Sequence, residues 1–274
     1  MPARKRFGQH FLHDPGTIGR IVQAVAPRPG EALVEIGPGR GALTAPLLAT
    51  GVTLHAVEID RDLVPRLTAQ FGASGRLTLH QADALQFDFA ALARTLGTPL
   101  RLVGNLPYNI STPLLFHLLA QRAQIADMHF MLQQEVVQRM AASPGGKDYG
   151  RLTVMLAAHC AVEPLFRVPP GAFTPPPRVD SAVVRLLPHA TPPFRVDAPA
   201  WFAALVAAAF AQRRKTLRNA LREWLPVEAI AACEVDPASR AERVSPAGFA
   251  RLANAAAARA CDDGRRCHQP SKEA

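Results

Sequence analysis

Between about residues 30 and 187, short apolar runs alternate with longer stretches of helical periodicity, the pattern of a βαβ architecture built on a parallel sheet. The runs 32–36 (ALVEI), 53–57 (TLHAV), 77–80 (LTLH), 100–104 (LRLVG) and 125–132 (IADMHFML) predict strands, and helices are predicted near 43–50, 62–71, 88–96 and 112–122. A further helix is predicted over 13–26, where Asp14 can cap the first turn and Pro15 sits where that turn tolerates proline. Two apolar runs, VEPLFRV and SAVVRLL, flank the proline-rich insert PPGAFTPPPR and predict two last strands, one of them antiparallel. Strand-like alternation then stops. Residues 188–199 read as a linker, residues 200–256 as a small all-helical domain, and residues 257–274 as a disordered tail. The expected domains are thus 1–187 with a basic N-terminal arm, and 200–256.

Composition narrows the class. With 274 residues and 49% hydrophobic content the chain can bury a sizeable core, and no apolar run approaches the roughly 18 to 20 residues that span a bilayer. The first twelve residues lack the apolar core of a secretory signal, so a cytoplasmic location is expected. Cys160, Cys233, Cys261 and Cys267 form no CxxC pair, which speaks against a zinc ribbon or a disulfide framework, and no metal is expected. The formal charge is +9, and its distribution matters more than its size. Arg4, Lys5 and Arg6 open the chain, while Arg213, Arg214, Lys215, Arg218 and Arg222 crowd one late segment, as contacts to a phosphate backbone require. Arg214, Arg218 and Arg222 recur every four residues, which predicts one basic helix face opposite Phe210, Leu217, Leu221 and Trp224.

The chemistry concentrates at predicted strand ends. Gly37, Gly39 and Gly41 in EIGPGRGA follow the first parallel strand and allow a tight turn with close approach of a ligand to the main chain. Glu58, about twenty residues on, can accept hydrogen bonds from ribose hydroxyls. A dinucleotide fingerprint can also be laid on Gly37, Gly39 and Ala42, so NAD is not excluded by the loop alone, but the GxGxG form suits S-adenosylmethionine, which has no pyrophosphate. Asp83, after the third of these strands, can accept from an adenine amino group or simply serve a turn. At the end of the fourth comes Asn105-Leu106-Pro107-Tyr108, which resembles the NPPY-type signature of methyltransferases acting on exocyclic amines. Such an amine is a poor nucleophile because its lone pair is delocalised. The Asn105 side-chain oxygen and the Leu106 carbonyl can hold its hydrogens while nitrogen pyramidalises, with Pro107 stiffening the turn and Tyr108 offering a face for the base.

Taken in order, RFGQHFL at 6–12, EIGPGRGALT, VEID, NLPYNIS, KDYGRL at 147–152, FTPPPRVDSAV at 173–183 and FAQRRKTLRNAL at 210–221 resemble the ribosomal RNA adenine dimethyltransferase family over most of residues 4–255. The resemblance implies a Rossmann-like, S-adenosylmethionine-dependent methyltransferase sheet of the α/β class with a small C-terminal helical domain. It implies cofactor contacts at His10, Leu12, Gly37, Gly39, Glu58, Asp83 and Asn105, catalytic roles for Asn105, Leu106, Pro107, Tyr108 and Phe173, and RNA contacts at Arg4, Lys5, Arg6, Arg214, Arg218 and Arg222. In this scheme Phe173 stacks on the target adenine opposite Tyr108. His10 departs from the usual asparagine of the family, which shifts weight onto its main chain. The implied substrate is a pair of adjacent adenosines in the hairpin loop near the 3′ end of 16S rRNA in the immature small subunit, each methylated twice by a monomeric enzyme through direct in-line displacement. A large-subunit adenine methyltransferase of the macrolide-resistance type and a noncatalytic ribosome assembly factor are the alternatives.

Overall fold

The computed structural model describes residues 10–262, in which the chain forms two compact units, residues up to 137 with 161–188 and residues 138–160 with 189 onward. The first unit opens with a two-residue strand, β1 (Phe11–Leu12), and the helix α1 (Pro15–Val25). Asp14 caps that helix by accepting from the Thr17 N–H at 2.7 Å. There follow β2 (Ala32–Ile36), α2 (Thr44–Ala49), β3 (Thr53–Glu58), α3 (Val64–Phe71), β4 (Leu77–Gln81), α4 (Phe89–Leu96), β5 (Leu100–Asn105), α5 (Ser111–Ala120) and β6 (Ile125–Gln133). After α6 (Gln134–Met140) and α7 (Arg151–Ala157), the strands β7 (Cys160–Val168), β8 (Phe173–Thr174) and β9 (Ser181–Pro188) complete the sheets.

Seven strands lie in the order β4-β3-β2-β5-β6-β9-β7, while β1 and β8 form a separate antiparallel pair. The pairs β2–β3, β3–β4, β2–β5 and β5–β6 are parallel and β6–β9 is antiparallel. The central strands are buried almost throughout, as strands covered on both faces must be, whereas the edge strand β4 is partly exposed along its length. One side of the core packs Ile21 and Val25 of α1 and Leu47 of α2 against Leu33, Leu54 and Val103 of the sheet.

Close strand approach depends on one residue in β5. A Cβ at Gly104 would lie 2.5 Å from the Ile36 carbonyl oxygen, which belongs to the neighbouring strand and cannot move without breaking the ladder. Gly104→Ala should therefore cost at least about 2 kcal/mol of stability. A thermal melt close to that of the parent protein would contradict this.

The second unit contains α7, α8 (Pro199–Ala211), α9 (Leu217–Ala220), α10 (Val227–Ala232) and α11 (Pro246–Asp262). Its core holds Leu156, Phe202, Leu205, Phe249 and Leu252, all essentially without exposure. Residues 138–160, which the sequence places with the first domain, join it because Tyr149 is buried there with its hydroxyl donating to the Val244 carbonyl at 2.7 Å. Two expectations need correction. Arg214, Arg218 and Arg222 do not share a helix: α8 stops at Ala211, Gln212 has non-helical backbone angles, and α9 carries Arg218 alone, with Arg214 and Arg222 in the flanking turns. All three remain exposed. Helix α11 also continues to Asp262, so residues 257–262 are helical, and the rest of the expected tail lies outside the described residues.

Candidate active site

Parallel pairing brings the carboxyl ends of β2, β3, β4 and β5 to one edge of the sheet, with β2 flanked by β3 and β5. Connections leave β2 and β5 in opposite directions there, and the crevice at such a switch point is where α/β sheets bind ligands. A single pocket occupies it. His10, Leu12, Gly37, Gly39, Glu58, Asp83, Asn105, Leu106, Pro107 and Tyr108 all line it, so ten residues singled out from sequence are brought together.

The glycine loop turns through backbone that side chains avoid, with φ of +68° at Gly37, +59° at Gly39 and +85° at Gly41. Glu58, at the end of β3, fastens this loop. One carboxylate oxygen accepts the Gly39 N–H at 3.2 Å and the other accepts the Asp60 N–H at 2.9 Å. Burial raises its pKa, and those two N–H groups pull in the opposite direction. Asp83 accepts the Leu85 N–H at 2.9 Å, which closes the turn after β4 and leaves its second oxygen available.

A second buried acid, Glu35 in β2, also lines the pocket and was not among the residues chosen from sequence. Its carboxyl accepts from the Thr44 hydroxyl at 2.6 Å. Burial, aided by the charge of Glu58, pushes its pKa up to about 7 against the lowering effect of Thr44. A charged letter inside an otherwise apolar strand was the signal for it.

Asn105 ends β5. Its side-chain amide donates to the His10 carbonyl at 2.9 Å. That bond orients the group, because the nitrogen is engaged and the oxygen is left as the acceptor. The His10 ring stacks on Tyr108 with centroids 5.5 Å apart, and its Nδ1 lies 2.8 Å from the Pro175 carbonyl. His10 thus meets the site through both its main chain and its ring. Beside it, Arg40 sits over the Phe11 ring at 4.2 Å.

Phe173 is the exception among the predicted pocket residues. It is only 2% exposed, pairs with Leu12 through β8 and belongs to the hydrophobic core with Val168, Ala172 and Val183. It does not line the pocket, so in this structure it offers no face to a base opposite Tyr108. Packing of β8 against β1 removes it. Arg4, Lys5 and Arg6 lie outside the described residues.

The donor set tests which cofactor fits. Three carboxylates, from Glu35, Glu58 and Asp83, line the pocket, and Arg40 is the one Lys or Arg side chain among its lining residues. This set repels a pyrophosphate and favours a ligand that carries positive charge, as a sulfonium with an ammonium group does. The loop glycines and the apolar Ile59 and Leu85 complete a wall suited to an adenosine moiety.

Comparison with known proteins agrees with this geometry. Residues 1–258 match the family model described as ribosomal RNA adenine dimethylase. The chain is 59% identical over 252 residues to ribosomal RNA small subunit methyltransferase A of Pseudomonas aeruginosa, an alignment that covers 92% of this chain and 94% of that protein. It is 58% identical over 251 residues to the protein of the same name from Laribacter hongkongensis, covering 92% and 95%. Among solved structures it is similar to a dimethyladenosine transferase from Plasmodium falciparum, with a TM-score of 0.75, 25% identity and coverage of 93% and 98%. It is also similar to the 23S rRNA methyltransferase ErmE, with a TM-score of 0.68, 26% identity and coverage of 89% and 98%.

Proposed function

The chain belongs to the ribosomal RNA adenine dimethylase family, and from that premise we propose how its pocket works: as the site of an S-adenosylmethionine-dependent rRNA adenine N6-dimethyltransferase. Its substrate is the small-subunit rRNA, on which it places two methyl groups on each of two adjacent adenosines in the hairpin loop near the 3′ end. The observation that carries this reading is the orientation of Asn105, whose amide nitrogen donates to the His10 carbonyl, which leaves its oxygen as the acceptor. The choice of subunit rests on similarity, which is 59% to a small-subunit enzyme and 26% to a large-subunit one.

S-adenosylmethionine supplies an electrophilic methyl group on a sulfonium. Glu58, which fixes the glycine loop, would hold the ribose, and Asp83, which accepts the Leu85 N–H, would accept from the cofactor adenine. Asn105 Oδ1 and the Leu106 carbonyl accept the hydrogens of the target amine, so that the developing positive charge on nitrogen is met by fixed dipoles. Pro107 stiffens the turn that aims both acceptors, and Tyr108 carries the base on its ring. Alignment and dipole placement would supply the rate: these acceptors would hold the nitrogen in line with the methyl carbon, so that the N–C bond would form as the methyl–sulfur bond broke, its electron pair staying on a neutral thioether, and the proton of the nitrogen would pass to water. The base must be splayed from its stack to reach this depth, which suits a loop nucleotide. The exposed Arg214, Arg218 and Arg222, with Arg4, Lys5 and Arg6, contact the RNA backbone. The protein acts as a monomer on the immature subunit in the cytoplasm; among the described residues no helix is long and apolar enough to cross a membrane.

Glu35 makes cofactor binding depend on pH. With a pKa of about 7 it is largely protonated below neutrality, and a positively charged ligand favours its ionised form. Affinity should therefore rise with pH up to about 7, by less than tenfold per unit, with release of a proton. Calorimetric titration with S-adenosylmethionine in buffers of different ionisation enthalpy measures this release. Glu35→Gln should remove the pH dependence, and its persistence in that variant would contradict the assignment.

The function itself is tested by mass spectrometry of small-subunit rRNA from cells that lack the protein. Dimethyladenosine should be missing at both positions and return on complementation; its presence without the protein would refute the reading.

A further inference from the structure

The ring of Tyr108 is anchored at both ends. Its backbone lies in the turn between β5 and α5, and its hydroxyl lies 2.7 Å from the hydroxyl of Ser181. Ser181 is the first residue of β9, has no solvent exposure and pairs with Gln133 at the end of β6. It is not part of the pocket wall. Its own place is held firmly. The preceding residue, Asp180, accepts the Gln134 N–H through its carbonyl at 2.9 Å, and its carboxylate pairs with Arg167 at 2.5 Å.

Its polarity sets this residue apart in β9. Ser181 is followed by Ala182, Val183 and Val184, all buried, so it is the polar member of an apolar run. A hydroxyl buried there without a partner would cost about 1–3 kcal/mol. Tyr108 is the partner it has. For the tyrosine, the consequence is restraint. A phenol held only through its Cβ swings on χ1, whereas one also held at its para oxygen keeps its long axis fixed, because both anchors lie on that axis. Burial raises the pKa of Tyr108 and so keeps the hydroxyl neutral and able to take either hydrogen-bonding role.

We propose that Ser181 is a positioning residue for methyl transfer: its hydroxyl fixes the long axis, and so the place, of the Tyr108 ring on which the target base stacks, although it touches neither base nor cofactor. The proposal rests on the functional reading above, in which Tyr108 carries the base. It extends the site to a strand that approaches it from 73 residues further along the chain. Precise placement of a stacking platform matters because the attacking nitrogen must meet the methyl carbon in line.

The test uses the fact that the protein has two tyrosines. Tyr149, bonded to the Val244 carbonyl, serves as an internal reference. In labelled protein without ligands, Ser181→Ala should let the Tyr108 side chain average over more than one χ1 rotamer, read by NMR three-bond couplings to Cγ, and leave Tyr149 unchanged. In single-turnover methylation of small-subunit rRNA, Ser181→Ala and Tyr108→Phe should each lower the rate about tenfold, with S-adenosylmethionine affinity retained. The double variant should be no slower than either single one, because both remove the same bond. An unchanged single χ1 rotamer of Tyr108 in Ser181→Ala, a Ser181→Ala protein at full rate, or losses that multiply in the double variant would each overturn the proposal. Multiplying losses would mean that Ser181 acts through strand packing instead. Failure of the parent protein to methylate would overturn the functional reading, and the proposed role with it. The χ1 result in the free protein would still show whether the anchor exists, which separates the two failures.

Discussion

Asn105→Ala should reduce methyl transfer by about a thousandfold or more, to assay background, while S-adenosylmethionine affinity changes by less than about tenfold. The side-chain acceptor that the amine needs is lost, and alanine offers none in its place. Asn105→Asp is the sharper version. Aspartate keeps an acceptor oxygen but cannot donate to the His10 carbonyl, and it places a carboxylate against that carbonyl instead. It should therefore be nearly as inactive as alanine. Single-turnover kinetics with saturating cofactor, alongside direct binding measurements, separates the chemical step from binding. An aspartate variant close to the parent rate would show that the amide donor is dispensable.

Glu58→Ala should produce the opposite split. Glu58 accepts two main-chain N–H groups in a buried setting, so its removal frees the glycine loop as well as deleting the ribose acceptor. Charge-assisted hydrogen bonds of this kind contribute about 1.5–3 kcal/mol each. Cofactor affinity should fall by about a hundredfold or more. Since Glu58 lies apart from the amine, much of the rate should return at high cofactor concentration. Calorimetry measures the first effect and cofactor-saturation kinetics the second. A variant that binds normally would contradict the role given to this acid.

Both variants concern positions that were legible from the chain alone, and the reason is physical. In a parallel sheet, function gathers at strand ends, and strand ends are marked in sequence where apolar runs stop. The runs ending at Ile36, Val57, His80 and Gly104 end within a residue of β2, β3, β4 and β5, so the sequence alone places Gly37, Glu58, Asp83 and Asn105 on one edge. What could not be read depends on partners far along the chain. The strands β1 and β8 are two residues each, too short to leave a period, and their pairing buries Phe173. Tyr149 joins the helical unit through a carbonyl 95 residues away. The spacing of Arg214, Arg218 and Arg222 implies one face only if a helix is continuous, and the break at Gln212 removes that condition. Helix α11 outlasts its expected end because the alanines at 255–258 and Ala260 favour helix without any apolar stripe. Glu35 was visible as a letter but not as a site, since its meaning comes from full burial beside Glu58.

The most direct measurement is methylation in a defined mixture. Purified protein is incubated with isotopically labelled S-adenosylmethionine and either small or large ribosomal subunits from cells lacking the modification, and the RNA is digested and read by mass spectrometry. The account predicts label in small-subunit RNA only, ending as dimethyladenosine at two adjacent positions of the 3′ hairpin loop. Label in large-subunit RNA, on an atom other than adenine N6, or in neither subunit would contradict it.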